Sequence, residues 1–317
     1  MNKLTNISEE NADVFGQQIV PFNHGLQDTG LFSRKSLAKL IDNMRDLEER
    51  HYILGAPDDS GGAGLWRNGS YENISGADLL KAVEKGRMWF QIQDLDIVAP
   101  EQWAATEQVF AELKETVPGF SFSNLRSSIL ISSPTARVLC HSDCAEVILL
   151  HIEGGKRLSL YDGDNEEYLP RSVLEGIVLR ETEEDIPYKP EWDKKGFIFD
   201  LEPGQAMSWP HFWPHKVDNL AGLNISLQCE YFSDEGKRRY GVQYANGIMR
   251  RKAGIEPQSI NHEGPGALLK CGVALMAKKL KVNTSAERKL IEEFVVDLDA
   301  PGCMRDTAEE ERKIIGL

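Results

Sequence analysis

Basic residues are scarce in this chain: 36 Lys and Arg stand against 50 Asp and Glu, a formal net charge of −14. That balance excludes a general affinity for DNA, RNA or anionic membrane surfaces, which needs clustered positive charge. The short runs Lys237-Arg238-Arg239 and Arg250-Arg251-Lys252 read as solvated faces. Cysteine is also sparse. Cys140, Cys144, Cys229, Cys271 and Cys303 are odd in number, scattered and without a CxxC pair. Neither a zinc knuckle nor a disulfide framework fits that pattern, and a reducing, cytoplasmic location is expected. Long hydrophobic runs are missing too. The most apolar late segment, ALLKCGVALMAKKL, is too short and too lysine-rich to span a bilayer. The amino terminus, MNKLTNISEENADVF, lacks the apolar core of a signal peptide. The glycine-rich stretch from Asp58 to Ser70 lacks the Gly-Lys-Ser/Thr ending of a phosphate loop and reads as a connection or lid.

What is present suits one sizeable core: 317 residues, 41% hydrophobic and 27% charged. Residues 1–118 read as a mainly helical segment packed on the core. Ser33 and Ser75 are placed to cap helices, and Pro100 to open another, with a strand at RMWFQIQDL between them. From about Gly119 the period shortens. SSILISS, VILLHIE, KRLSLYD, GFIFDLEPG, AMSWP and NISLQCEYF are short β-type runs punctuated by Gly, Pro, Asp and Asn. Residues 119–234 are therefore expected to form a sandwich or barrel. Residues 235–317 return to helical spacing, through RRYGVQYANGIMRRKAG, PGALLKCGVALMAKKL and SAERKLIEEFVVDL. Leu268, Leu269, Val273, Leu275, Met276 and Leu280 are more apolar surface than one isolated helix hides. They are expected either to pack on the barrel or to form a homodimer seam.

The chemistry gathers at two places. In VLCHSDCAEVILLHIEGGKRLSLYD, His141 and Asp143 precede a strand, Gly154-Gly155 reads as a turn, and a second strand begins at Lys156. His141 and Asp143 stand two apart, the spacing that sends side chains to one side of an extended chain. The second place is EPGQAMSWPHFWPHKVDN, where His211 and His215 sit among Trp209 and Trp213. A histidine from here completes a two-histidine, one-carboxylate face, a set that suits Fe(II) with open positions for co-substrate and O₂. A lone His-x-Asp is structural or incidental more often than not; the second histidine, again in an aromatic β setting, raises its weight. Lys156 is either outward and solvated or inward, where a lone lysine is costly unless it meets an anion; Arg157 is the natural outward neighbour.

Together, HSD, the GGK that ends at Lys156, and WPHFWPHKVDN resemble the jumonji C and cupin-like family of Fe(II)- and 2-oxoglutarate-dependent oxygenases. The likeness covers roughly Ser127 to Phe232. It implies a double-stranded β-helix, mainly β with flanking helices. It implies His141, Asp143 and His215 as iron ligands, with His211 outside the set, and Lys156 as partner of the far carboxylate of 2-oxoglutarate. Val138 and Glu230 stand where that family often carries a hydroxyl and an amide for the co-substrate.

By alternation Asn224, Ser226, Gln228 and Glu230 share one face of their strand, either solvated or lining the barrel, and Asn224 and Ser226 are assigned to the lining. His151 reads as packed or surface, His24, His51 and His262 as unpartnered, and Tyr161 as core. Three functions compete. One is an Fe(II)/2-oxoglutarate oxygenase oxidising a C–H bond of a small molecule, sugar or protein side chain. Another is a metal-dependent cupin enzyme that does not use 2-oxoglutarate. The last is a non-catalytic cupin-like binding module.

Overall fold

Two long strands organise the molecule, and everything that bears on the site is placed by how they bend. The computed structural model describes residues 3–316 apart from 46, 48–49, 57–65, 72–73, 135, 257–258 and 283–289. The first part of the chain supplies β1 (Thr5–Asn6), α1 (Glu9–Asp13), β2 (Val20–His24), α2 (Arg34–Asn43), β3 (His51–Gly55), β4 (Arg67–Ser70), α3 (Gly76–Lys85), β5 (Met88–Ile92), α4 (Leu95–Val98) and α5 (Pro100–Thr116). The middle supplies β6 (Ser123–Ser132), β7 (Arg137–His141), β8 (Glu146–Leu160), α6 (Arg171–Val178), β9 (Phe197–Leu201), β10 (Gln205–Ser208) and β11 (His215–Phe232). The last part supplies α7 (Asp234–Ala253), α8 (Gly264–Lys279), β12 (Leu290–Ile291), β13 (Phe294–Val296), β14 (Met304–Asp306) and β15 (Ile314–Gly316).

β8 and β11 run antiparallel along almost their whole length, from Tyr231 opposite Glu146 to His215 opposite Leu160. Their two halves serve two different sheets. The half near Glu146 is flanked by β10 on one side and β6 on the other. The half near Leu160 is flanked by β9 and β7. A pair of strands shared in this way between two facing sheets is a double-stranded β-helix, and among the described residues the connected sheet holds thirteen strands. Gly154-Gly155 is not the hairpin turn that the sequence suggests but a bend within the single strand β8. Gly154 has φ +87, and opposite it β11 carries extra residues between Ala221 and Ile225. Extra residues on one partner bend a pair without reversing it. Lys156 thus lies on the same strand as His151.

The expectation of a mainly helical segment over 1–118 needs amendment. α1 to α5 are there, with Ser33 accepting from Ser36 N, Ser75 from Asp78 N, and Pro100 at the start of α5. Five strands are there as well, and β2, β3, β4 and β5 extend the main sheet on both sides. The α2, α3 and α5 helices cover the outer face of that sheet: Leu37, Val83 and Phe110 bury against Ile129, Ile131, Ile225 and Leu227. The Asp58 to Ser70 stretch lies outside the described residues up to Leu65, and its end, Arg67–Ser70, is β4 rather than loop.

In the tail, SAERKLIEEFVVDL falls outside the described residues up to 289, and from Leu290 it forms β12 and β13 instead of helix. Tertiary packing overrides the helical spacing: β13 pairs with β4 and β14, and the Phe294 ring lies over Gly69, where a Cβ would come within 2.3 Å of it. α8 packs on α7 and turns Ala267, Ala274 and Ala277 inward. Leu268, Leu269, Leu275, Met276 and Leu280 are exposed, so this apolar set does not pack on the barrel. Among the described residues no helix is long and apolar enough to cross a membrane.

Candidate metal centre

The three residues His141, Asp143 and His215 come together at the junction of β7 and β11. His141 ends β7 and pairs directly with His215, the first residue of β11. Asp143 follows two residues later, in the connection to β8. That connection is pinned: Ser142 N donates to Glu184 O at 3.0 Å and Ser142 Oγ to Phe212 O at 2.8 Å. The second bond ties the His141–Asp143 segment to the turn that carries His215. Phe212 holds φ +70 there, the left-handed conformation that side chains rarely adopt.

One candidate ligand atom from each of the three residues lies within 4.8 Å of the others. His215 Nε2 is 3.2 Å from Asp143 Oδ2, His141 Nε2 is 3.7 Å from Asp143 Oδ1, and the two imidazole rings are 4.2 Å apart. Each Nδ1 faces a backbone carbonyl, Leu139 O at 2.8 Å for His141 and Trp213 O at 3.1 Å for His215. Those carbonyls require Nδ1–H, which leaves both Nε2 atoms as bare lone pairs. Two lone pairs then face a carboxylate whose Oδ2 is buried without a hydrogen-bond partner. That arrangement is repulsive by itself and favourable around a cation, and it is the carbonyl-anchored histidine geometry of metal sites. Burial pushes the Asp143 carboxyl up, while burial and then the neighbouring His141 hold the His215 imidazole well below its ordinary value. Two imidazoles and one carboxylate fit a divalent transition metal such as Fe(II), with ligand positions left open. The Trp209 ring, 4.7 Å from His215, and buried Leu160 close the inner side.

His211 is not part of this set. Its ring stacks on Phe212, and its Nε2 contacts Cys144 O at 3.0 Å, so it holds the residue after Asp143.

Lys156 points inward. It is 4% exposed, on the inner face with Leu158 and Leu160, whereas Arg157 points out and pairs with Asp200 at 2.6 Å. Its Nζ meets the neutral Asn219 Oδ1 at 3.3 Å, and no carboxylate among the described residues lies within ion-pair distance. Burial lowers its pKa to about 8. Asn219 is held with its amide nitrogen on Ser132 Oγ at 2.8 Å and Ser133 O at 2.6 Å, which turns its oxygen toward the lysine. Asn219 was not singled out from the sequence. The signal was present in alternation: His215, Val217 and Asn219 fall on one face of β11.

Asn224 and Ser226 are fully buried on the inner face, opposite Ser132 and Leu130. Both have local partners. Asn224 donates to Ala221 O and Gly222 O, bracing the bend, and Ser226 Oγ meets His151 Nδ1 at 3.1 Å. His151 is packed, with Nε2 on Gly154 O. His24 is buried on the His151 carbonyl, His51 lies tilted against Tyr71, and His262 pairs with Glu235, all apart from the triad. Tyr161 is a core ring bonded to Asp193. Val138 pairs with Val217 and packs on the inner apolar cluster. Glu230 lies on the Asp143 side: burial, then Asp143 and Glu184, push its pKa up to about 7. Both glutamates and Asp143 line a cavity of about 750 Å³ roofed by α7 and α8.

Fold and site together describe a double-stranded β-helix with a two-histidine, one-carboxylate candidate metal centre. No family model and no curated protein matches the chain. Among solved structures, E. coli ycfD is similar at 16% identity over 87% of this chain and 69% of that one, with a TM-score of 0.49. Another, described as the E. coli ribosomal oxygenase YcfD, matches at 16% identity over 88% and 68%, with a TM-score of 0.48. A third, that ribosomal oxygenase in complex with cobalt and 2-oxoglutarate, matches at 16% identity over 87% and 68%, with a TM-score of 0.47. The functional reading of this chain rests on the geometry of its own site.

Proposed function

We propose that the protein is an Fe(II)- and 2-oxoglutarate-dependent oxygenase that oxidises a C–H bond of its substrate. The observation that carries this is the pairing of two sites in one barrel. Two bare imidazole nitrogens converge on an orphaned carboxylate oxygen, and a buried cation without an anionic partner stands on the same inner face. Fe(II) with 2-oxoglutarate and O₂ supplies C–H oxidation driven by decarboxylation of the co-substrate to succinate. The chain's own part is to hold and to exclude. His141, Asp143 and His215 would hold the metal, each histidine fixed by its carbonyl. Lys156, aligned by Asn219, would bind the far carboxylate of the co-substrate. Trp209, Leu158 and Leu160 keep water from the inner side. Asn224 and Ser226 complete the inner lining, one by bracing the bend and the other through His151.

The functional unit in this reading takes in segments 1–118, 119–234 and 235–317 together, because strands from the first and last extend the central sheet. The substrate is a small molecule, sugar or protein side chain; nucleic acid is disfavoured by the acidic balance. A cytoplasmic setting agrees with five free cysteines and an oxidisable metal. The exposed apolar face of α8 supports a homodimer seam.

Calorimetric titration of 2-oxoglutarate into Co(II)-loaded protein tests the reading. Binding should require the metal and weaken at least tenfold in Lys156→Ala, from loss of a charge-assisted contact worth about 1.5–3 kcal/mol. Metal binding without any 2-oxoglutarate binding would contradict it. That outcome would favour the second reading, a metal-dependent cupin enzyme without this co-substrate, to which the apolar Val138 contributes.

A further inference from the structure

The cavity above Asp143 carries a charge pattern that the metal and co-substrate do not use. Its lining includes Arg180 two residues past α6, Arg238 on α7 and Lys278 on α8. Nearby Arg126 pairs with Asp94, and Lys237 with Asp234. Arg180, Arg238 and Lys278 have no carboxylate partner among the described residues. Lys278 is instead cradled by two rings, with Nζ 4.2 Å from the Tyr240 centroid and 5.1 Å from that of Tyr244. The Tyr240 hydroxyl is in turn fixed on Val178 O at 3.1 Å. Arg180 and Lys278 are close enough for each to oppose the other's charge. Arg180 and Lys278 are exposed and Arg238 is half-buried, so in a chain with net charge −14 these three cations, without carboxylate partners, form an electropositive wall that draws an anion into the cavity.

The other side of the same cavity has the opposite sign. Asp143, Glu184 and Glu230 line it, and each raises the cost of placing an anion next to the metal face. The two walls therefore orient whatever enters. A volume of about 750 Å³ is that of a pocket for a small molecule. We infer that the cavity receives a small substrate bearing a carboxylate or phosphate group, held by Arg180, Arg238 and Lys278 while its neutral, hydroxyl-bearing part reaches toward Asp143. The inference rests on the oxygenase reading only in taking this cavity as the substrate site.

Calorimetry on the full chain loaded with Co(II), without 2-oxoglutarate, tests it with four probes: glycerol 3-phosphate, glycerate, neutral glycerol and cationic ethanolamine. At least one of the two anions should bind, and glycerol and ethanolamine should not. Arg180→Gln, Arg238→Gln and Lys278→Gln should each weaken the anion roughly tenfold, the loss of one charge-assisted contact. Arg157→Gln, on the outer face, should leave it unchanged. Absence of anion binding, preference for ethanolamine, or equal binding in all three glutamine variants would overturn the inference. So would loss of binding in Lys156→Ala, which would move the anion into the barrel. Probe discrimination by the wild-type protein stands even if a variant fails to fold. Anion binding with no binding of 2-oxoglutarate would sink the oxygenase reading and leave this one standing.

Discussion

At the scale of single residues the site is a set of groups that would each be unfavourable alone. Lys156 is the clearest case, a buried ammonium whose only close partner is an amide oxygen. Burial depresses its folded pKa to about 8 from the ordinary lysine value of 10.5. Between those values the unfolded chain binds the extra proton, so this group's penalty is full below pH 8 and fades as pH rises toward 10.5. Lys156→Met is therefore expected to raise the melting temperature of the ligand-free protein at pH 7. The same titration controls the co-substrate: affinity for 2-oxoglutarate should fall as pH passes upward through about 8. Calorimetry at pH 7 and pH 9 checks this, and the pH dependence should be absent in Lys156→Met.

At the scale of elements, the bend shared by β8 and β11 places one half of each strand at the candidate metal centre and the other half in the main sheet. Gly154 makes that bend possible. Its φ of +87 disfavours any side chain, and a Cβ there would come within 2.7 Å of Leu223 O and of the Asn224 amide. Gly154→Ala should cost about 2–4 kcal/mol in chemical denaturation, with metal affinity reduced through displacement of β11. A loss under 1 kcal/mol would mean that the bend is held elsewhere.

This element also marks where the sequence stops being legible. Gly-Gly between two apolar runs reads as a hairpin, because local pattern cannot distinguish reversal from a bend; the residues that decide it, Ala221 to Ile225, lie some seventy positions away. The same limit hid β13, whose helical spacing was overridden by pairing with β4. The candidate ligands were legible because their spacing is local: His141 and Asp143 stand two apart, and His215 sits in a short aromatic turn. The aim of Lys156 stayed open in the sequence, where alternation says only that Lys156 and Arg157 point opposite ways. Arg180, Arg238 and Lys278 were illegible as a group, since only the closed fold gathers them.

At the scale of the whole molecule, the helices are not ornaments on a barrel. The amino-terminal ones bury one face of the main sheet, and α7 and α8 roof the cavity over the metal face. α8 does this with Ala274, Leu275 and Lys278, which leaves Leu268, Leu269 and Met276 exposed away from the cavity. A contiguous apolar stripe of this kind on an acidic protein suits a self-complementary contact. Light scattering at micromolar concentration should give twice the monomer mass, reverting to the monomer in Leu269→Glu with Met276→Glu; a wild-type monomer would contradict the seam.

The central claim, that one barrel holds Fe(II) and 2-oxoglutarate together, is tested most directly by visible absorption. Protein loaded anaerobically with Fe(II) should develop a metal-to-ligand charge-transfer band on addition of 2-oxoglutarate. The band should be weakened at the same concentration in Lys156→Ala and absent in His215→Ala. Iron retained with no band at saturating 2-oxoglutarate would contradict the account.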